Sequence, residues 1–577
     1  MYNSESKLLT FLDYINNHFL SFSKRIDTFF NSSSPKRKHQ ELVVNYTVLL
    51  LYIVLMALIS YFHEPWGDEA QSWAIAKYAS YKDMLFSIGH AEGHPSLWWI
   101  YLSIFAKAGL PFEAGLKIAS ILLNSIFAWL IIFKVQISRL LRFSIPFTYF
   151  FFYQYGVISR CYSILLIAMV LLSIVWNKRS TNPFKVSFSL ILLCLSSAYG
   201  IAIAFSLALL WTIELTASII REKKIISTDK SQILALFLLF ISALIIVALL
   251  FPTNNPYALR TEKNNSYLFR LFYMFFLEPI DSLFYMAVYI DTELFKYHPD
   301  ILSIIIGVFI SIIFYIIIFS WPKARGFRRY LIIPHSIFSI VSASSYFWSH
   351  HIGITTALFL FWFIICVNSN NTNDLYFKIP HKKESVNSKA MFKVNNSEIE
   401  TLIRSYWLVP TFIIIVSISW SIESSILDIQ KNYSANRAIY NLLSNNKLDK
   451  LSILPNDLSS WTSYLGDNNN VYKLHVNQAD YSYIINNLSR DDYDNYYNYL
   501  AIEYGYPDIY IGSSNTSFLN TLPQYNPLLP LPPSYVELCN IESGSIFKGE
   551  YSGVSGWTDV TAYIKKDIYM QIDNLSK

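Results

Sequence analysis

From residue 43 to residue 420 the chain repeats one pattern: an apolar run long enough to cross a hydrocarbon core of ~30 Å, then a short polar break, with lysine and arginine concentrated in every second break. No soluble core absorbs so many runs of that length, so the chain reads as a polytopic membrane protein. Composition agrees, with 53% hydrophobic and 15% charged residues against roughly 25% charged in soluble domains. The same balance excludes intrinsic disorder, and four cysteines in 577 residues exclude a disulfide scaffold. Cys161, Cys194 and Cys366 lie in or beside apolar runs, and Cys539 stands alone in the polar tail.

The scarce charges give an orientation. Lys24, Arg25, Lys36, Arg37 and Lys38 precede the first run, 43–62, and hold the segment 1–42 in the cytoplasm by the positive-inside rule. The length of that polar lead argues against a cleaved signal peptide. Further basic breaks carry Lys134/Arg139/Arg142, Lys178/Arg179/Lys185, Arg221/Lys223/Lys224, Lys323/Arg325/Arg328/Arg329 and the stretch 378–404, all placed inside. The outer breaks are then 63–115, 154–162, 197–200, 252–300 and 349–351. The expectation is about eleven transmembrane helices within 43–422. The apolar stretch 95–110 is too short to cross, at ~24 Å, and reads as an interfacial or re-entrant helix, since a full span there would turn every later basic break outward. The Asn- and Lys-rich stretch 370–396 reads as a cytoplasmic loop.

The tail, 423–577, falls outside on this scheme. It holds 17 acidic and 10 basic residues, a balance of −7, which leaves +12 on the rest of a chain whose net charge is +5. Nothing in that sum calls for nucleic acid. Strand-like runs at 451–454 and 508–511, with loops at 468–470 and 523–533, predict an extracytoplasmic α/β domain. The fold class is thus an all-α polytopic membrane domain followed by a small mixed domain.

Chemistry concentrates just after the first run, in His63-Glu64-Pro65-Trp66-Gly67-Asp68-Glu69-Ala70-Gln71-Ser72-Trp73, then His90-Ala91-Glu92-Gly93-His94-Pro95-Ser96-Leu97-Trp98-Trp99. Indoles favour membrane interfaces, which explains Trp98 and Trp99 equally well. Acids this near a span either serve a site or stay in water, because carboxylates at the bilayer centre cost ~2.5–3.5 kcal/mol on insertion scales.

An Asp-Glu pair in the first outer loop after an inward-starting span, followed by Gly-His-Pro opening a helix, resembles the GT-C superfamily of membrane glycosyltransferases. The resemblance is to family 39-like members, the protein O-mannosyltransferases and bacterial aminoarabinose transferases. Three later segments add to it: Tyr153-Gln154-Tyr155-Gly156-Val157-Ile158-Ser159-Arg160-Cys161-Tyr162, the turn Ser197-Ala198-Tyr199-Gly200, and His350-His351-Ile352-Gly353. The chain departs from the mannosyltransferases at Ser96, where they carry a second proline, and it has no Asp close to Arg160.

The resemblance implies a polyprenyl-phosphate sugar donor, a glycan, lipid or protein hydroxyl acceptor on the outer face, and residence in a bacterial plasma membrane. Because a phosphate-linked sugar already has a good leaving group, inverting transfer needs one base and cations for the departing phosphate. Neighbours on a helix point about 100° apart, so only one of Asp68 and Glu69 faces the site. By its match to the family position Asp68 is the base. Glu69 is left to orient it, bind substrate hydroxyls or pair with a cation. Arg160 is the phosphate ligand by its forked donors, or else an interfacial arginine. His94 binds substrate or caps its helix. Tyr162, His350, His351 and Glu92 are further candidates, as are Arg260 and Lys263 in the outer loop 252–300. Asp68 and Glu92 suit a divalent cation such as Mg2+ or Mn2+, although no dedicated ligand set is visible. Tyr493, Tyr496 and Tyr497 in the tail suit stacking on sugar rings or ordinary packing. The rivals are a transporter or lipid flippase, which needs charge at mid-span or broken helices in related halves, and a non-catalytic sensor or scaffold.

Overall fold

A computed structural model describes residues 21, 25, 35–251, 267–286, 301–321, 324–345, 347–368, 408–455, 463–464, 505–513, 534–552 and 560–575. Arg260, Lys263, the stretch 370–396 and the tyrosines at 493, 496 and 497 lie outside the described residues.

The membrane part consists of α1 (Pro35–Phe62), α2 (Gly67–Tyr78), α3 (Leu97–Ala106), α4 (Phe112–Lys134), α5 (Tyr162–Val175), α6 (Pro183–Cys194), α7 (Ala198–Glu222), α8 (Ser227–Leu250), α9 (Tyr267–Phe276), α10 (Ile301–Ser320), α11 (Arg329–Ser344), α12 (Gly353–Val367) and α13 (Leu408–Gln430), joined by shorter turns. Among the described residues seven helices are long and apolar enough to cross a membrane, namely α1, α4, α7, α8, α10, α12 and α13. The chain is a mostly helical membrane protein. Its outer helices turn large apolar side chains outward, among them Leu50, Val54, Phe237, Phe240, Ile305 and Phe309, a surface that only a lipid environment covers. Helix α5 is buried along almost its whole length and packs against α4, α6 and α12, so it forms the axis of the bundle.

Two short elements repay a closer look. Helix α3 has 10 residues and rises only about 15 Å, half the hydrocarbon thickness. It stops where Lys107 turns its ammonium onto the Ala79 carbonyl at 2.7 Å and Gly109 adopts φ +87°. Between the basic break at 134–142 and Arg160 the chain is a broken run: Arg139–Ser144, a 3-10 turn Ile145–Phe147 and a π-helix Phe150–Val157 whose every residue is buried. Pro146 removes a backbone donor there. π-Helical segments are rare and gather at functional sites.

The polar breaks sort to the two ends of the bundle. At one end Arg139 and Arg142 meet Glu41, while Arg179, Arg329 and the Tyr330 hydroxyl converge on Glu214 of α7, the last two at 2.9 and 2.5 Å. At the other end lie residues 63–69, 92–94, 159–162, 349–351 and the last turn of α13. Arg437, opening α14 (Asn436–Asn445), staples this end together: its guanidinium forks onto Glu113 at 2.7 and 2.6 Å, its Nη2 donates to the His63 carbonyl at 2.5 Å, and its backbone N–H donates to Glu64.

The C-terminal region has its own small apolar cluster, in which Ile439 and Leu443 of α14 pack on Ile453, Ile509, Ile511, Ala562 and Ile564. The strands are β1 (Ile453–Pro455), β2 (Ile509–Ser513), β3 (Tyr535–Ile541), β4 (Ser545–Phe547), β5 (Glu550–Ser552) and β6 (Val560–Lys565), followed by α15 (Lys566–Leu575). They form a sheet of order β1-β2-β6-β3, with β1 parallel to β2 and the other pairs antiparallel, and a separate β4-β5 hairpin. The hairpin turns through Lys548 and Gly549 at φ +48° and +81°, the left-handed pair that a tight hairpin requires. Its tip enters the bundle: Phe547 packs edge-on against Tyr149 and Phe150, and Lys548 is buried against Asp281.

Candidate active site

The start of α2 separates the two acids. Trp66 precedes the helix in extended conformation, and Glu69, three residues on, reaches back to accept the Trp66 N–H at 3.2 Å, half of a capping box. That fixes the helix phase. Glu69 turns inward and is fully buried, while the Asp68 side chain keeps 39% of its surface exposed.

Arg160 is delivered to Asp68 from the far side. The π-helix ends at Val157, and the Ser159 N–H donates to Glu69 Oε1 at 2.6 Å. This anchor leaves the next residue, Arg160, with its guanidinium on the Asp68 carboxylate and its plane 5.7 Å from the Trp66 ring, close enough for cation–π attraction.

Glu92 and His94 come in from the third side. A short helix, Ile88–Glu92, is closed by Gly93 at φ +67°, which turns the chain toward Pro95 and α3. Glu92 accepts from Gln71 at 3.1 Å. Burial pushes its carboxyl up to about 7, the Asp68 charge adds to this, and Arg160 and Gln71 oppose it. Burial, with the positive Arg160 beside it, pushes the His94 imidazole down to about 4. At neutral pH His94 is therefore an uncharged donor and acceptor.

Tyr162 opens α5 and stacks on Tyr155 at 4.6 Å, with His350 and His351 each 6.0 Å from its ring. The Tyr155 hydroxyl donates to the His350 carbonyl at 2.7 Å. Gly353 allows that approach, since a Cβ there would stand 2.7 Å from the same hydroxyl. Tyr199, in the first turn of α7, completes the aromatic wall 4.7 Å from His351. Asp68, Glu92, His94, Arg160, Tyr162, His350 and His351 are thus gathered at one end of the bundle from four separate stretches of chain.

Around the Asp68–Arg160 pair, several buried polar atoms have no hydrogen-bond partner among the described residues: Trp66 Nε1, His94 Nδ1, Ser159 Oγ and Tyr162 Oη. An unmet buried donor or acceptor costs roughly 1–3 kcal/mol, so such a group normally meets a ligand or water.

No family model, curated protein or solved structure matches the chain. What the site can do is therefore argued from its own groups. Among the described residues no three His, Cys, Asp or Glu side chains gather as metal ligands. Asp68 is engaged by Arg160 and Glu92 by Gln71, so the two carboxylates are not arranged as a ligand pair for a divalent ion.

Sequence reasoning placed His63 in the polar segment without giving it a role and passed over Asp428. His63 bonds Glu69 Oε2 at 3.0 Å and Asp428 Oδ2 at 2.8 Å, and the Tyr153 hydroxyl donates to the same Asp428 oxygen at 3.1 Å. A carboxylate ending an otherwise apolar run, as Asp428 ends α13, was the available signal. Outside the polar cluster, an apolar groove runs between α10, α12 and α13, lined by Phe314, Trp321, Phe359, Trp362, Ile413 and Phe151. Phe151 belongs to the π-helix that leads to Arg160.

Proposed function

We propose that the chain is a membrane glycosyltransferase of the GT-C type, which moves a sugar from a polyprenyl-phosphate donor to a hydroxyl acceptor by inverting displacement. The observation that carries this reading is the juxtaposition of Asp68 and Arg160 amid buried polar groups that lack partners among the described residues. A carboxylate open to the surface and a guanidinium suited to phosphate lie side by side, as the chemistry needs.

In the reaction the acceptor O–H gives its proton to Asp68, and the oxygen attacks the anomeric carbon. The bond from that carbon to the phosphate oxygen breaks, and its electron pair leaves with the polyprenyl phosphate. Arg160 takes up the phosphate charge, with neutral His94, the Trp66 indole N–H and the Tyr162 hydroxyl as further hydrogen-bonding groups. Glu69, bonded at both oxygens, holds the frame and does not face substrate. The apolar groove suits a polyprenyl tail.

The finer topology belongs to the same reading. About eleven crossings result if the shorter helices α5, α6 and α11 and the broken run before Arg160 each traverse the bilayer of a bacterial plasma membrane. Segment 1–42 then stays inside, and the site and the C-terminal α/β region lie outside.

The test compares envelope glycans and lipids by mass spectrometry in cells carrying the wild-type chain, Asp68→Asn, or no copy. A sugar mass that the wild type adds and Asp68→Asn does not is the expected result. Equal modification by a normally inserted Asp68→Asn protein overturns the reading. A transporter is the second reading, favoured by the broken run before Arg160 and by the buried pair of Glu278 and His335, 3.5 Å apart. It predicts that glycan masses stay unchanged in all three strains.

A further inference from the structure

The groups nearest the open site are accounted for by that chemistry, but a second set of titratable side chains, fully enclosed behind them, is not. His63, Glu69 and Asp428 have 0–1% of their side-chain surface exposed. Burying one imidazole and two carboxylates is costly unless they are bonded; here the bonds run in a chain, with Asp428 Oδ1 alone of the three groups' polar atoms lacking a partner among the described residues.

Asp428 Oδ2 accepts from His63 Nδ1 at 2.8 Å, and His63 Nε2 donates to Glu69 Oε2 at 3.0 Å. Glu69 Oε1 then accepts the Ser159 N–H at 2.6 Å. Ser159 is the residue before Arg160. The Tyr153 hydroxyl closes the far end on Asp428, and the Tyr433 ring lies edge-on 4.8 Å from the imidazole. Arg437 holds the His63 carbonyl at 2.5 Å. Burial opposes a charge on His63, but Asp428 and Glu69 outweigh it and push the imidazole up to about 10. Both ring nitrogens therefore donate at neutral pH.

Helix α13 is thereby wired through Asp428, His63 and Glu69 to the backbone N–H of Ser159, the residue before Arg160. We infer that His63 is a positioning residue: bridging Asp428 and Glu69, it fixes the carboxylate that grips the Ser159 N–H, and so sets where the Arg160 guanidinium stands to receive a phosphate. This rests on the reading of Arg160 as phosphate ligand. It adds that α13, far from Arg160 in sequence, governs phosphate affinity.

The test is a double-mutant cycle on the full-length chain in lipid nanodiscs, read by equilibrium binding of a short-chain polyprenyl monophosphate. His63→Gln/Asp428→Asn removes the bridge but leaves one buried carboxylate, so the net charge of the three groups is unchanged. Arg160→Gln is expected to weaken binding by about tenfold or more. The paired variant is expected to weaken it several-fold in the wild-type background and less than about twofold when Arg160→Gln is already present, because residues acting through one group are not additive. Equal losses in both backgrounds, or no loss in a folded paired variant, overturn the positioning role. If the wild-type chain does not bind the probe, the phosphate reading itself fails and this inference falls with it. Glu69→Gln, which keeps the His63–Asp428 pair, enters the same cycle if the paired variant does not fold.

Discussion

Arg160 lies on the carboxylate of Asp68 although 92 positions of sequence separate them, and the pair is only partly withdrawn from solvent. Each residue satisfies the other while no substrate is present. On the proposed reading, a phosphate arriving at this point competes for the guanidinium and, in taking it, releases Asp68 to act as a base. Arg160→Lys keeps the charge but loses the planar fork. Polyprenyl-monophosphate binding is therefore expected to rank wild type, then Arg160→Lys, then Arg160→Gln. Equal affinity for all three would show that phosphate does not bind here.

Glu92 gives a pH signature. Its carboxyl is raised to about 7 from an ordinary 4.5, so the folded chain holds this proton more tightly than the unfolded chain does. The stabilisation is complete below about pH 4.5 and is lost as pH rises through about 7. Glu92→Gln, which cannot ionise, escapes that loss. Measured as unfolding temperature in one detergent, the variant should gain on the wild type between pH 5 and pH 8. A constant difference over that range sinks the assignment.

On the proposed reading His94, kept uncharged by burial, serves through hydrogen bonds and not through charge. His94→Asn, which keeps a donor and an acceptor, should retain more transfer activity than His94→Ala, with both below wild type. The ratio of the His94→Asn rate to the wild-type rate should also stay constant between pH 6 and 8, since the imidazole does not titrate in that range. If His94→Lys proves the best substitute, a cation is what the site requires and the neutral role is wrong.

Much of this was legible in the sequence, and the reason is scarcity. In a chain with so few charges, Asp68, Arg160 and His94 stand out because each occupies a break between apolar runs, and breaks two apart in order share one membrane face. The strand-like runs near 451 and 508 likewise appear as β1 and β2. What stayed hidden depends on distance along the chain. His63 and Asp428 are 365 positions apart, and nothing local marks them as partners. The buried π-helix before Arg160 was equally invisible, because the sequence divides Phe150–Val157 between an apolar run and the outer break that starts at 154, and only packing shows one buried helix, wound differently, across both. The different fates of Asp68 and Glu69 were half legible: helical geometry required them to diverge, and the Ser159 N–H explains which of them turned inward.

Orientation can be checked without any substrate. Single cysteines placed at Lys223, after α7, and at Lys447, after α14, in a chain otherwise cleared of cysteine, should label from opposite sides with a membrane-impermeant maleimide in intact cells. Lys447 is expected to react and Lys223 to react only after permeabilisation. The reverse pattern would put the Asp68 end of the bundle in the cytoplasm.

The β4-β5 hairpin supplies the last prediction. Lys548 Nζ sits in a closed shell, 3.2 Å from Asp281 Oδ1, 2.6 Å from the Asp281 carbonyl and 3.1 Å from the Tyr285 carbonyl, with the Trp420 ring 4.8 Å away. Both side chains are fully buried. Removing one member strands the other charge, which in buried pairs costs about 3–5 kcal/mol, whereas replacing both with neutral groups is often far less harmful. Lys548→Met and Asp281→Asn should each lower the unfolding temperature sharply, and the double variant should recover most of the loss. Additive losses would mean that the hairpin tip is held by Phe547 against Tyr149 and Phe150, with the ion pair contributing little. Recovery would make this pair the ionic lock by which the C-terminal region is seated in the bundle.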